Sequence, residues 1–146
     1  MKKIIFISLT ILFSLGAVAL PSGPSDKIID IFRQDFPNVQ QQTIHDYGNY
    51  YMVYFKEDQL ASCRVFYSSD GVLLGTIKYY DASKLDPFIR CEVKKKYHGK
   101  EIKGVTELTF KDVHTYEIVL QNSKGGCKVK YDDGVMTMVE KWFVAS

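Results

Sequence analysis

Three cysteines and three histidines are the side chains of this 146-residue sequence best suited to nucleophilic, acid–base or metal chemistry. Cys91 and His98 stand seven residues apart, which on a helix is about two turns and puts a thiol and an imidazole on the same side. His98 falls beyond the expected helix end, however. No oxyanion-hole segment or third orienting residue accompanies the pair, so the pattern does not make a nucleophilic site. His45, His98 and His114 have no short-range partners at zinc or iron spacing, and there is no Cys-x-x-Cys. The adjacent acid and imidazole groups of His45-Asp46 and Asp112-Val113-His114 fall at strand ends or turns and are expected as surface polar residues. Glu57-Asp58 and Asp132-Asp133 sit in hairpins, where turn chemistry calls for acids, and nothing resembles an EF-hand loop. No Gly-rich phosphate loop is present, and Gly125-Gly126 reads as a turn. The expectation is a chain with no catalytic residues, no metal and no cofactor.

The compartment follows from the first residues. Lys2 and Lys3 precede an apolar run from Ile4 to Leu15, and Ala17-Val18-Ala19 supplies small residues at a signal-peptidase spacing. The run is shorter than the about 20 residues of a membrane span, so a stable membrane anchor is not expected. Residues 1–19 are therefore expected to be a removed signal peptide and 20–146 a single periplasmic or secreted domain. The chain has 19 basic and 17 acidic residues; without Lys2 and Lys3 the charges balance, which gives no general attraction to nucleic acid. Lys94-Lys95-Lys96 reads as the solvated last turn of a helix, where cations complement the dipole. In an exported chain the cysteines invite disulfides. Yet Cys63 and Cys127, four strands apart in a simple meander at about 4.8 Å per strand, would be separated by ~19 Å and so stay as buried thiols. Cys91, on the helix side opposite Ile89 and Val93, is expected to be exposed and able to link two chains.

A duplication organises the domain. Cys63-Arg64-Val65-Phe66-Tyr67 is echoed by Cys127-Lys128-Val129-Lys130-Tyr131, each followed by an Asp-Gly-Val, at Asp70-Gly71-Val72 and Asp133-Gly134-Val135. Ser25 and Asp26 are expected to cap a first helix with Ile28, Ile29, Ile31, Phe32 and Phe36 as its apolar face, ended by Pro37. Asp86 caps a second, with Pro87 at its first position and Leu85, Phe88, Ile89, Val93 and Tyr97 as its buried stripe. Four strands follow each helix, at 42–47, 50–57, 61–68 and 72–80, then at 102–110, 114–121, 126–131 and 135–143. Turns are expected at Gly48-Asn49, Asp58-Gln59, Asp70-Gly71, Ser123-Lys124-Gly125 and Asp133-Gly134; Asp-Gly favours type I′ hairpins, which need positive φ at both central positions. Ten Tyr and nine Phe suit pleated surfaces. The fold class is α+β: two tandem helix-plus-four-strand repeats, about 24–81 and 82–146, forming antiparallel sheet with both helices on one face.

This arrangement resembles the β-lactamase-inhibitor-like, PepSY-like family of exported proteins. The resemblance is carried by Phe32 to Pro37, Tyr50 to Phe55, and Val65-Phe66-Tyr67 through Asp70-Gly71 to Ile77-Lys78-Tyr79-Tyr80. Lys96-Tyr97-His98-Gly99-Lys100 is similar to that family's helix-ending Tyr-Pro-Gly, with His98 in place of the proline. The resemblance implies a two-layer fold and no catalytic residues.

Period-two parity then separates the sheet faces. In the second repeat Tyr116, Ile118, Leu120, Cys127, Val129 and Tyr131 point inward, leaving Glu117, Gln121, Lys128 and Lys130 outside. In the first, Tyr51, Val53, Phe55, Cys63, Val65 and Tyr67 are inward. The outward set is Tyr50, Met52, Tyr54, Arg64 and Phe66, joined on the fourth strand by Lys78 and Tyr80. Aromatics with an arginine are the composition of protein-binding hot spots. These seven residues are the candidate site for a protein or peptide of the cell envelope. Inhibition of a peptidase is the sharper form. An envelope hydrolase and a carrier of a small apolar ligand are the alternatives.

Overall fold

In the computed structural model, which describes residues 24–144, helix α1 (Pro24–Asp35) is followed by β1 (Gln42–Asp46), β2 (Tyr50–Lys56), β3 (Ala61–Ser68) and β4 (Leu73–Tyr80). Helix α2 (Pro87–Lys96) then precedes β5 (Glu101–Phe110), β6 (Val113–Asn122), β7 (Gly125–Asp132) and β8 (Val135–Phe143). The eight strands form one antiparallel sheet in sequence order. The expected signal segment lies outside the described residues. No helix among the described residues is long and apolar enough to cross a membrane.

Short hairpins enforce this order within β1–β4 and within β5–β8, because a tight connection leaves only the adjacent antiparallel position; β4 and β5 pair across the connection that holds α2. The β1–β2 turn is closed by Asp46, whose Oδ1 accepts from Gly48 N at 2.7 Å. Asp58 does the same for Leu60 N at 2.7 Å between β2 and β3. Asp133 and Gly134 both have positive φ, as a type I′ turn demands. Asp70-Gly71 differs from the expectation. Only Gly71 is left-handed there; Gly71 N donates to Ser68 O and Ser68 N to Val72 O, both at 2.9 Å, which makes a three-residue loop. A Cβ on Gly71 would lie 2.4 Å from Ile31 Cδ1, so the hairpin tip presses directly on α1. The residues expected as a Gly125-Gly126 turn instead open β7.

Both helices lie on one face of the sheet, above two separate cores. Ile28 and Phe32 of α1 pack with Tyr51, Val53, Phe55, Cys63, Val65 and Tyr67. Leu85, Ile89 and Val93 repeat every four residues and bring α2 onto Val105, Ile118, Leu120, Cys127, Val129 and Tyr131. Each fully buried aliphatic or phenyl side chain contributes ~1.5–3 kcal/mol relative to exposure. Asp86 caps α2, its Oδ1 accepting from Phe88 N at 2.8 Å and Ile89 N at 3.3 Å, with Pro87 next. Two helix expectations need correcting. Helix α1 already runs from Pro24, so Ser25 and Asp26 sit in its first turn. Phe88, expected in the buried stripe, is 66% exposed, because the row that α2 buries on the sheet is Leu85, Ile89 and Val93. All three cysteines are free; Cys63 and Cys127 are buried under different helices and Cys91 is exposed.

Candidate functional site

The register carries the parity of β2 and β3 across the whole sheet. Tyr50, Met52 and Tyr54 on β2, and Arg64 and Phe66 on β3, stand on the face opposite the helices, with Met52 paired to Phe66 and Tyr54 to Arg64. Lys78 and Tyr80 do not join them. Beyond the hairpin Tyr67 pairs with Leu73 but Phe66 pairs with Gly75, so Leu74 is an extra, unpaired residue. That β-bulge moves every later β4 side chain to the other face. Lys78 then sits opposite Cys63 on the helix side, and Tyr80 packs against the α2 core. Ile77 and Tyr79 take the outward positions instead, opposite Arg64 and Ser62.

The outward aromatics form a continuous row. Tyr47, 53% exposed in the β1–β2 turn, stacks on Tyr50 at 4.7 Å between ring centroids. Tyr50 lies 6.2 Å from Phe66, and Phe66 lies 5.5 Å from Phe110 of β5. Phe110 pairs with Gly75 and covers it: a Cβ on Gly75 would fall 2.4 Å from Phe110 Cδ1. Arg64 is held at the next row. Its Nη1 donates to Tyr79 Oη at 3.1 Å, with the guanidinium carbon 5.1 Å from the Tyr79 ring centre. The other end of the same face is charged and self-paired. Lys128 lies 4.0 Å from Glu117 and 3.9 Å from Glu140, and Lys130 lies 2.9 Å from Asp132.

On the helix side the strip of β4 and β5 between the two cores is polar. Lys78 Nζ meets Glu57 Oε1 at 2.9 Å. Burial acts to lower the Lys78 ammonium, and the hydrogen bond and charge of Glu57 outweigh it, leaving its pKa raised. Glu107 accepts from Tyr80 Oη at 2.7 Å, and its other oxygen lies 2.8 Å from His114 Nε2. Burial, then the Glu107 carboxylate, raises Tyr80 so far that its phenol keeps its proton. His114 thus engages Glu107 and not its neighbour Asp112, while Asp46 closes a turn and is not oriented on His45. His98 follows the helix end and its Nδ1 lies 2.8 Å from Lys95 O. Among the described residues no group of three or more His, Cys, Asp and Glu is placed to hold a metal ion. A cleft of about 890 Å³ lies where the connection from α1 to β1 crosses the ends of β1 and β2, lined by Phe36, Val39, Gln41, Lys56 and Glu57 among others. It is open at the rim and borders the α1 core, whose Phe55 is in its lining.

Sequence parity located five of the outward residues and missed Tyr47, Ile77, Tyr79 and Phe110. The Ile77 and Tyr79 positions depend on the Leu74 bulge. Phe110 reaches the row only through the pairing of β4 with β5, and no short-range pattern encodes that pairing.

The fold defines the class. Similar solved structures include a BLIP-like protein from Bacteroides fragilis NCTC 9343, with TM-score 0.62 and 16% identity over 86% of this chain and 89% of that one. A DUF2874 family protein from Bacteroides ovatus ATCC 8483 matches with TM-score 0.61 and 16% identity over 80% and 89%. A provisionally periplasmic protein from Bacteroides eggerthii DSM 20697 matches with TM-score 0.57 and 13% identity over 79% and 88%. No family model and no curated protein matches the chain. At these identities the property shared is the fold: an eight-stranded antiparallel sheet with two helices, of the BLIP-like kind.

Proposed function

We propose that this chain is an exported, non-enzymatic binding module whose open sheet face over β2–β5 takes a protein or peptide of the cell envelope. The carrying observation is the row Tyr50, Phe66 and Phe110, turned to solvent on the side away from the helices and flanked by Arg64 on Tyr79. Partly exposed aromatics supply desolvation energy on docking, and a held guanidinium supplies orientation. Inhibition of an exported peptidase is the sharper form and rests on the kinship of fold alone. The same reading takes residues 1–19 as an export signal and 20–146 as the periplasmic or secreted domain. Residues 24–81 and 82–146 would be copies of one unit, which the recurrence of a helix followed by four strands supports. Cys63 and Cys127, each in the third strand of its half, add to that support.

The test is affinity capture from the native envelope fraction. The wild-type protein is compared with a Tyr54→Ala/Phe66→Ala variant matched for thermal stability. A partner held by the first and lost by the second is the expected result. Retention of the same partners by both would remove the face from consideration.

A further inference from the structure

The aromatic face also has a sign. Strands β2, β3 and β4 contain no Asp or Glu, and they turn two cations outward, Lys56 and Arg64. Lys56 pairs with Ser62 one row beyond the Tyr54–Arg64 pair, so the two cations are diagonal neighbours, with β-carbons on the order of 7 Å apart. Lys56 has no ion-pair or hydrogen-bond partner among the described residues.

The acids that border this region are already engaged. Glu101 holds Lys103 at 2.5 Å. Asp58 is bonded by Lys84 and by Leu60 N, and the Lys84 bond keeps its carboxyl below the usual range. Asp81 accepts from Ser83 N at 2.7 Å and from Ser83 Oγ. Arg64 spends one donor on Tyr79 and is otherwise exposed, so the rest of its fork is free to donate to a bidentate acceptor. Beside it, past Tyr54 and Tyr79, a cleft of about 320 Å³ opens over Ser62, with Lys56, Lys103 and the already bonded Asp58 and Asp81 in its wall.

We infer that this cleft receives a carboxylate carried on an aromatic or apolar protein segment of the partner. The inference rests on the binding-module reading and gives its partner a chemistry. The phenol walls accommodate the apolar part, Lys56 meets the anion from the cleft wall, and Arg64 reaches it from its place on Tyr79 beside the cleft. A neutral segment would leave both cations unpaired at a drying interface, and a cationic one would be repelled. The far end of the face is excluded from this role, because its Lys128 already lies between two carboxylates, Glu117 and Glu140.

The experiment titrates the 15N-labelled protein with acetyl-Trp-Asp-Trp-amide and with its neutral isostere, acetyl-Trp-Asn-Trp-amide, at low salt. Amide shifts are followed on β2–β4. The Asp peptide is expected to bind about fivefold more tightly, the scale of one exposed ion pair, with shifts centred on Ser62, Arg64 and Tyr79. In Arg64→Gln, whose fold is checked by its dispersed spectrum, that preference is expected to vanish, the two peptides then binding alike. Equal binding of both peptides on this face would overturn the carboxylate assignment and leave the aromatic face standing. A preference that survives in Arg64→Gln would overturn the placement. No shift on β2–β4 with either peptide at millimolar concentration would overturn both readings.

Discussion

Deleting Leu74 is expected to be tolerated, although it removes a residue from a central strand. Leu74 is the unpaired member of the β4 bulge: Leu73 already faces Tyr67 and Gly75 already faces Phe66. Joining Leu73 to Gly75 yields a regular ladder in which Lys78 still meets Glu57, Tyr80 still meets Glu107, and Tyr79 still holds Arg64. What is lost is one half-buried leucine, worth ~1–2 kcal/mol by the burial scale.

Deleting Thr76 removes the same number of atoms to within a small side chain, and its outcome differs. If the shortfall is taken up beyond it, Ile77 to Tyr80 change faces, and the Lys78–Glu57, Tyr80–Glu107 and Arg64–Tyr79 interactions are all broken. If the bulge absorbs it, Leu74 moves to the place of Gly75, where even a Cβ would lie 2.4 Å from both Phe110 Cδ1 and Thr109 O. Either route costs about 3 kcal/mol or more, from stranded polar groups or from overpacking. Urea unfolding followed by the fluorescence of Trp142 measures both variants. A Leu74 deletion as damaging as the Thr76 deletion would refute the claim that this bulge sets the parity of β4.

Two further outcomes follow from burial. Because Cys91 is exposed while Cys63 and Cys127 are buried, a thiol reagent such as DTNB should react rapidly with one group in the native protein and with all three in urea. A disulfide-linked dimer on a non-reducing gel should disappear in Cys91→Ser, and rapid native labelling of a second thiol would contradict the cores described. Stability should be level up to about pH 9 and fall above it. Burial pushes the Cys63 thiol from 9.0 up to about 11, so as pH rises through this window the unfolded chain releases the proton first and unfolding is favoured. The loss approaches ~2–3 kcal/mol by pH 11, at ~1.4 kcal/mol per unit. Tyr67 and Tyr80, raised by burial and then by Asp35 and Glu107, extend the decline. The fall between pH 9 and 11 measured by urea midpoints should be shallower in Cys63→Ala, and an identical slope would remove the thiol as its cause.

The two binding tests and these stability tests bear on different levels of the molecule. The Tyr54→Ala/Phe66→Ala capture asks whether the face binds at all. The peptide pair asks what it prefers. The Leu74 deletion asks whether the face is assembled as the register describes, since Tyr79, the residue that holds Arg64, is outward only because of the bulge.

The elements were legible in the residues because their causes are local. Alternating Tyr51, Val53 and Phe55 make a half-buried strand wherever they stand, Asp86-Pro87 starts a helix, and Asp133-Gly134 closes a two-residue hairpin. Eight strands and two helices were therefore expected within a residue or two of their observed ends. Tight turns also carried the strand order within each half, while the separation of Cys63 from Cys127 further required β4 beside β5. Which side of the sheet each β4 residue occupies was not local. One unpaired residue inverts a period of two, and its only local mark is the unalternating Val72-Leu73-Leu74 run before a strand-interior Gly75, which does not say which residue is extra. The exposure of Phe88 was likewise settled by where α2 lies on the sheet. The aromatic row was decided last and farthest away. Phe66 and Phe110 are 44 positions apart in the chain, and they meet over Gly75 only because β4 pairs with β5 and joins the two halves into one sheet. Composition and periodicity determined what could form, and long-range pairing determined which side chains share a surface.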